Sequence, residues 1–123
     1  MRSDFNRFLS MKITLTKKFH FSASHSAHDR AIGHNYVLNV TTEALDDALE
    51  AILEKKVREV LIQKIDSRDL GLHVDFLKNI DVSDANLLKA FWEVIQPAIH
   101  PVQLTALSLE KDERTQVLFS RDS

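Results

Sequence analysis

The sequence predicts an α+β domain: a four-stranded antiparallel sheet with two helices on one of its faces. Three observations predict it. Two segments near the start alternate apolar and polar residues, two central segments switch to helical spacing, and two short alternating segments close the chain. The order strand, strand, helix, helix, strand, strand gives two hairpins around a helical pair, and the helices then cover one sheet face.

Residues Lys12 to Ala23 read as the first strand. Ile13, Leu15, Phe19, Phe21 and Ala23 take alternate positions, with Thr14, Thr16, Lys18, His20 and Ser22 between them, and the phase carries on to His25. A polar turn, SAHDRAIG, follows. Tyr36 to Thr42 is the second strand, with Tyr36, Leu38 and Val40 on one side. From Asp46 the period changes: Leu49, Ile52, Leu53, Val57, Val60, Leu61 and Ile65 mark one face of an amphipathic helix ending near Ile65. Asp66 to Val82 is irregular and is interrupted by Gly71. Ser83 is a helix N-cap residue, and Leu87, Leu88, Phe91, Trp92 and Ile95 form the apolar side of the second helix, which Pro97 and Pro101 end. Leu104 to Leu109 and Gln116 to Phe119 are two strands joined by the charged turn KDER.

The chain has 123 residues, so a single domain is the reading for residues 11–123, preceded by a leader, residues 1–10, of unassigned role. Charge is nearly balanced, with 16 basic and 18 acidic residues, which argues against nucleic acid or an anionic membrane as partner. There is no cysteine, which excludes disulfides, thiolate metal sites and a thiol nucleophile. No apolar run reaches the ~18 residues of a membrane span. The first residues carry no apolar signal core. The expectation is a soluble, cytoplasmic protein. The runs EKKVRE and EKDER read as solvated faces, Arg68 and Asp69 as a local ion pair, and Trp92 as core.

Chemistry, if present, belongs in one window. Four of the six histidines, His20, His25, His28 and His34, fall in FHFSASHSAHDRAIGHNY, beside Gly33. Imidazole is the commonest metal ligand and titrates near neutral pH. On the residues alone, His25 and His34 are either polar neighbours of a turn or metal ligands. His28 is either a loop residue or part of a site, and Asp66 either a turn-capping acid or a proton-relay group. His20 lies on the other strand face from Phe19 and Phe21 and reads as a surface or subunit-contact residue.

Four collinear motifs then carry a family resemblance over nearly all of residues 11–119. FHFSASH is similar to F-x-A-x-H, IGHNY to H-G-H-N-Y, KIDSRDLG to L-D-H-R-x-L-N, and VSDANLLKAFW to P-T-x-E-N-L with its tryptophan-bearing helix. Together they resemble the 6-pyruvoyl-tetrahydropterin synthase family, which includes the 6-carboxytetrahydropterin synthases. The resemblance implies the tunnelling fold, with trimers closing a β-barrel and stacking into hexamers. It implies a pterin or purine-like substrate such as dihydroneopterin triphosphate and a carbon–oxygen lyase reaction. It implies a zinc held by three histidines, a general base, and a glutamate that anchors the pterin ring.

Carried over residue by residue, the resemblance assigns His25 and His34 as ligands, while Ile32 stands where the middle ligand belongs. His28 occupies the place of a catalytic cysteine, and either replaces the missing ligand or serves as base. Asp66 keeps the relay aspartate, and Ser67 stands where the relay histidine belongs. The anchoring acid maps to Glu110 or, by strict alternation, to Lys111, with Glu110 requiring a one-residue shift or bulge. With these losses concentrated at catalytic positions, the alternative is an inactive tunnelling-fold homologue that binds a purine or pterin, or serves as a structural oligomer.

Overall fold

The computed structural model describes residues 13–27, 30–71, 74–78 and 83–121, with the backbone alone for residues 25–27 and 30–31. The leader 1–10 and His28 lie outside the described residues. Two strands of fourteen residues, β1 (Thr14–Ala27) and β2 (Arg30–Glu43), form one long antiparallel hairpin. Its register runs from Thr14↔Glu43 through Phe21↔Tyr36 to Ala27↔Arg30. The segment predicted as a polar turn is therefore mostly strand. Backbone groups require partners whatever the side chains are, and the ladder supplies them to the described residues of this segment.

Asp46 caps the first helix, α1 (Asp47–Val57), its side chain accepting from the Leu49 N–H at 2.8 Å. The helix continues through a π-helical turn, Arg58–Ile62, into a last α-turn, Gln63–Ile65. Leu53, Val57, Leu61 and Ile65 are all buried. Steps of four residues drift about 40° each around an α-helix, and the wider π turn absorbs that drift so the stripe stays on the sheet. Leu49 and Ile52, predicted on the same stripe, are instead exposed, 43% and 53%. They lie on the first turns, before the helix settles into this phase.

The second helix, α2 (Asp84–Ile99), begins at Ser83, whose hydroxyl accepts from Asn86 N. Pro97, predicted as its end, lies inside it. In the last turn a proline removes only the hydrogen bond to the Glu93 carbonyl, on a solvent-exposed part of the helix. The helix ends at Ile99, and Gln96 in its last turns holds the chain that follows: its Nε2 donates to Val102 O and its Oε1 accepts from Leu104 N, both at 2.9 Å.

β4 (Leu104–Lys111) and β5 (Thr115–Ser120) form the closing hairpin, and a two-residue strand, β3 (Arg68–Asp69), pairs parallel to β1 at Ala23 and Ser24. With β3 included, the sheet has five strands among the described residues rather than four, in the order β3–β1–β2–β4–β5. The helical layer packs on the face carrying Phe19, Phe21, Tyr36, Leu38, Val40, Leu107 and Leu109, all buried. Trp92 is half-buried rather than core, with its ring 5.0 Å from Phe119 and the Arg121 guanidinium over it. The EKKVRE run is not wholly a solvated face: Arg58 covers the Phe19 ring at 5.4 Å. No described helix is long and apolar enough to cross a membrane.

Tyr36 stacks on Phe21, ring centroids 4.9 Å apart, and is 2% exposed. Burial, with help from the charges of Asp84 and Asp112, pushes its phenol up to about 12. Because the folded value lies above the ordinary 10.0, the proton it retains stabilises the fold fully below pH 10. That contribution is lost as pH rises through about 12. Tyr36 is the only tyrosine in the chain, so phenolate absorbance reports it alone. A midpoint near 12 is expected in native protein and near 10 in urea; coincident midpoints would refute the buried ring.

Candidate functional site

Strand alternation divides each strand between two faces. On β4, Leu107 and Leu109 face the helices, and Lys111 follows them, pairing with Asp84 at the start of α2 at 3.3 Å. Ser108 and Glu110 lie on the opposite, polar face, where Glu110 is paired in register with Val37 of β2 and Gln116 of β5. The only irregularity in the β2–β4 pairing is at Thr41/Thr42, far from this point. Glu110 therefore needs no register shift. The cleft opens on the face away from Leu107 and Leu109, so the same alternation that sends Lys111 to the helices sends Glu110 to the cleft.

That cleft has a volume of 620 Å³ and is walled by His20, Ser22, Asn35, Asp66, Glu110 and Asp112, among others. An adjoining cavity of 350 Å³ shares Ser22, Asn35 and Asp112 and adds His34, Ser67 and Arg68. Four carboxylates, Asp66, Glu110, Asp112 and Glu113, line the larger cleft. A ligand rich in N–H donors suits such walls.

His34 pairs in register with Ala23, and its ring meets Tyr36 edge-on at 5.8 Å. Its Nδ1 lies 2.5 Å from Asp112 Oδ2. The other oxygen, Oδ1, accepts from Asn35 N at 2.9 Å, and the Asp112 N–H donates to Asn35 O. The Asn35 N–H, followed by the His34 ring, holds the Asp112 carboxyl below its usual range. Asp112 sits in the β4–β5 turn, where it and Glu113 both take left-handed backbone angles, φ 53 and 61. The turn that reads as a solvated charge run thus brings a carboxylate onto the second motif histidine.

The loop after the first helix is tied to β1. Asp66 Oδ1 accepts from Ser22 N at 3.0 Å, Ser67 N donates to Ser22 O, and Leu70 N donates to Ser24 O. Asp66 is thus at the cleft wall, one strand position from the residues around His34. Asp69 accepts from the Ser24 hydroxyl and from Gly71 N. His20 is exposed on the polar face, as its strand position predicts, and it also lines the cleft.

His25 is paired with Ile32 through the backbone, two residues along β1 from the Ala23–His34 pair. Ile32 is 40% exposed. Among the described residues, which leave out His28 and the His25 side chain, no group of three His, Cys, Asp or Glu is gathered to hold a metal. Sequence reasoning missed Asp112, Asn35 and Asn39. Their common signal is position: Asn35 and Asn39 straddle the motif strand, and Asp112 lies in the turn beyond the strand that pairs with it.

Fold and cleft together define an α+β domain of the tunnelling class. No protein-family model matches the chain, and no curated protein sequence is significantly similar to it. Among solved structures it is similar to the 6-pyruvoyl tetrahydropterin synthase of Caenorhabditis elegans, with a TM-score of 0.74. The match covers 91% of this chain and 99% of that one at 19% identity, which establishes the shared fold.

Proposed function

We propose that this chain is a divergent pterin-forming carbon–oxygen lyase of the 6-pyruvoyl-tetrahydropterin synthase type, acting on a dihydroneopterin triphosphate-like substrate. The observation that carries the reading is Glu110, a carboxylate in the wall of a ligand-sized cleft next to the His34–Asp112 pair. A carboxylate offers two acceptors in one plane, the complement of a guanidine-like pterin edge with two parallel N–H donors. Homo-oligomeric assembly as a trimer or hexamer, in the cytoplasm, belongs to the same reading.

A zinc fits this chain in part. Carboxylate-bound imidazole is the arrangement that sets the tautomer and direction of metal-ligating histidines, and His34 has it. His34 and His25 would hold the ion, with His28 as third ligand or as base. Bound there, zinc would supply Lewis acidity to the substrate side chain. The protein groups do the rest: Glu110 anchors the ring, Asp112 orients His34, and Asp66, fixed by the Ser22 N–H, stands at the wall as an acceptor for a proton.

A second reading, a non-catalytic purine or pterin-binding oligomer, is favoured by one observation. Ile32, in the place of the middle ligand, presents an aliphatic side chain to solvent. One experiment separates the two. Zinc per subunit is measured in wild type and His34→Ala, and dihydroneopterin triphosphate consumption is followed in both. The lyase reading expects near-stoichiometric zinc and substrate loss in wild type, both abolished in the variant. Metal-free, inert wild type that still binds pterin establishes the second reading.

A further inference from the structure

We infer that Asn39 is a positioning residue that sets which ring edges the cleft accepts, by holding the Glu110 carboxylate in one orientation. The inference rests on the reading of Glu110 as the ring anchor. Asn39 sits at the centre of the sheet on β2, between Lys18 of β1 and Ser108 of β4. Its neighbours Leu38 and Val40 are fully buried under the helices, so its own side chain lies on the polar face. There it is nonetheless 8% exposed.

Both amide hydrogens of Asn39 are used. Nδ2 donates to Ser108 Oγ at 2.8 Å and to Glu110 Oε2 at 3.0 Å. Ser108 Oγ also accepts from Gln116 Nε2 at 3.3 Å, which ties the amide to the edge strand β5. The Asn39 carbonyl oxygen, in contrast, is buried and has no hydrogen-bond partner among the described residues. An orphaned buried acceptor costs its desolvation with nothing returned, and an apolar residue of similar size would avoid that cost. Turning the amide over would set Oδ1 against the Glu110 oxygen, acceptor against acceptor. The carboxylate therefore fixes the amide, and the amide fixes the carboxylate.

The consequence is selectivity. With Oε2 held, Glu110 cannot rotate away from an ill-matched ligand. A ring edge with an N–H beside an exocyclic amine meets two acceptors. A ring with a carbonyl in place of that amine brings an oxygen against a fixed oxygen. Sites built to pair a polar group reject the analogue lacking it far more strongly than apolar sites reject a size change. Three further groups of the cleft wall, Asp66, Asp112 and Glu113, are also carboxylates, so the wall as a whole favours ligand donors over ligand carbonyls.

The test compares pterin with lumazine, its counterpart bearing a carbonyl for the amine, by calorimetry on wild type, Asn39→Leu and Glu110→Gln. Wild type is expected to prefer pterin. In folded Asn39→Leu the preference should fall at least tenfold, chiefly through better lumazine binding, which a general loosening of the fold would not produce. Asn39→Ser, too short to reach Glu110, carries the same expectation should the leucine variant not fold. An unchanged preference in either folded variant, with pterin binding still lost in Glu110→Gln, overturns the inference alone. Wild type that binds neither ring overturns the inference and the reading of Glu110 together.

Discussion

Glu110→Gln should weaken pterin binding by about 100-fold or more while leaving the melting temperature nearly unchanged. Glu110 sits on the polar face, partly exposed, with one carboxylate oxygen engaged by Asn39. Glutamine keeps the shape and can still accept from Asn39 through its carbonyl oxygen, so the strand hairpin is not disturbed. The other end of the amide is then an NH2 group facing the ligand's own donors. Hydrogen bonds to charged groups contribute about 1.5–3 kcal/mol each. Each ~1.4 kcal/mol is a factor of ten in affinity, so losing one such bond, reducing the other to a neutral one and setting donor against donor amounts to about 100-fold or more. Calorimetric titration with pterin checks it, with thermal melts as the stability control. Equal affinities in the two proteins would mean that the cleft does not use this carboxylate.

Much of the fold was legible because its signals are local. The alternation through Phe19, Phe21 and Ala23 and through Tyr36, Leu38 and Val40 reports burial on one strand face, and all six side chains are buried there. The caps at Asp46 and Ser83 are short-range hydrogen bonds that sequence spacing exposes directly. What was not legible depends on the partner. Nothing in RDL marks a strand, because Arg68 and Asp69 pair only where the loop meets β1 at Ala23 and Ser24. The hairpin extends past its apolar residues for the same reason: backbone pairing needs no hydrophobic side chain. Leu49 and Ile52 match the helical period yet lie on the first turns of the helix, where they stay exposed, which a periodicity count does not register.

The site divides along the same line. Glu110, Asp66 and His34 could be named from sequence, and they line two adjoining cavities. The choice between Glu110 and Lys111 could not be made, because it depends on which sheet face holds the cleft, a property of packing. Asp112 and Asn39 were invisible because their roles are long-range. One is 78 residues from the histidine it holds and the other 71 from the glutamate it holds. A charged turn and a mid-strand asparagine look ordinary until the strands are placed side by side.

Phe91→Ala should cost about 3–5 kcal/mol, a large share of the roughly 5–15 kcal/mol that stabilises a domain of this kind. Phe91 is fully buried on α2, and its ring meets Phe21 edge-on at 6.3 Å and Phe76 at 6.5 Å. Phe21 in turn stacks on Tyr36, whose edge contacts His34. The ring thus links the helical layer to the two strands that carry the cleft, and its removal leaves a void those rigid neighbours cannot close. At roughly 2–8 °C per kcal/mol the melting temperature should fall by about 6 °C or more. Phe91→Leu refills most of the space and should cost under about 1.5 kcal/mol. Urea unfolding of both variants checks the pair. An alanine cost no larger than the leucine cost would mean that the neighbouring rings collapse into the gap, and that the cleft is not braced from below by this aromatic column.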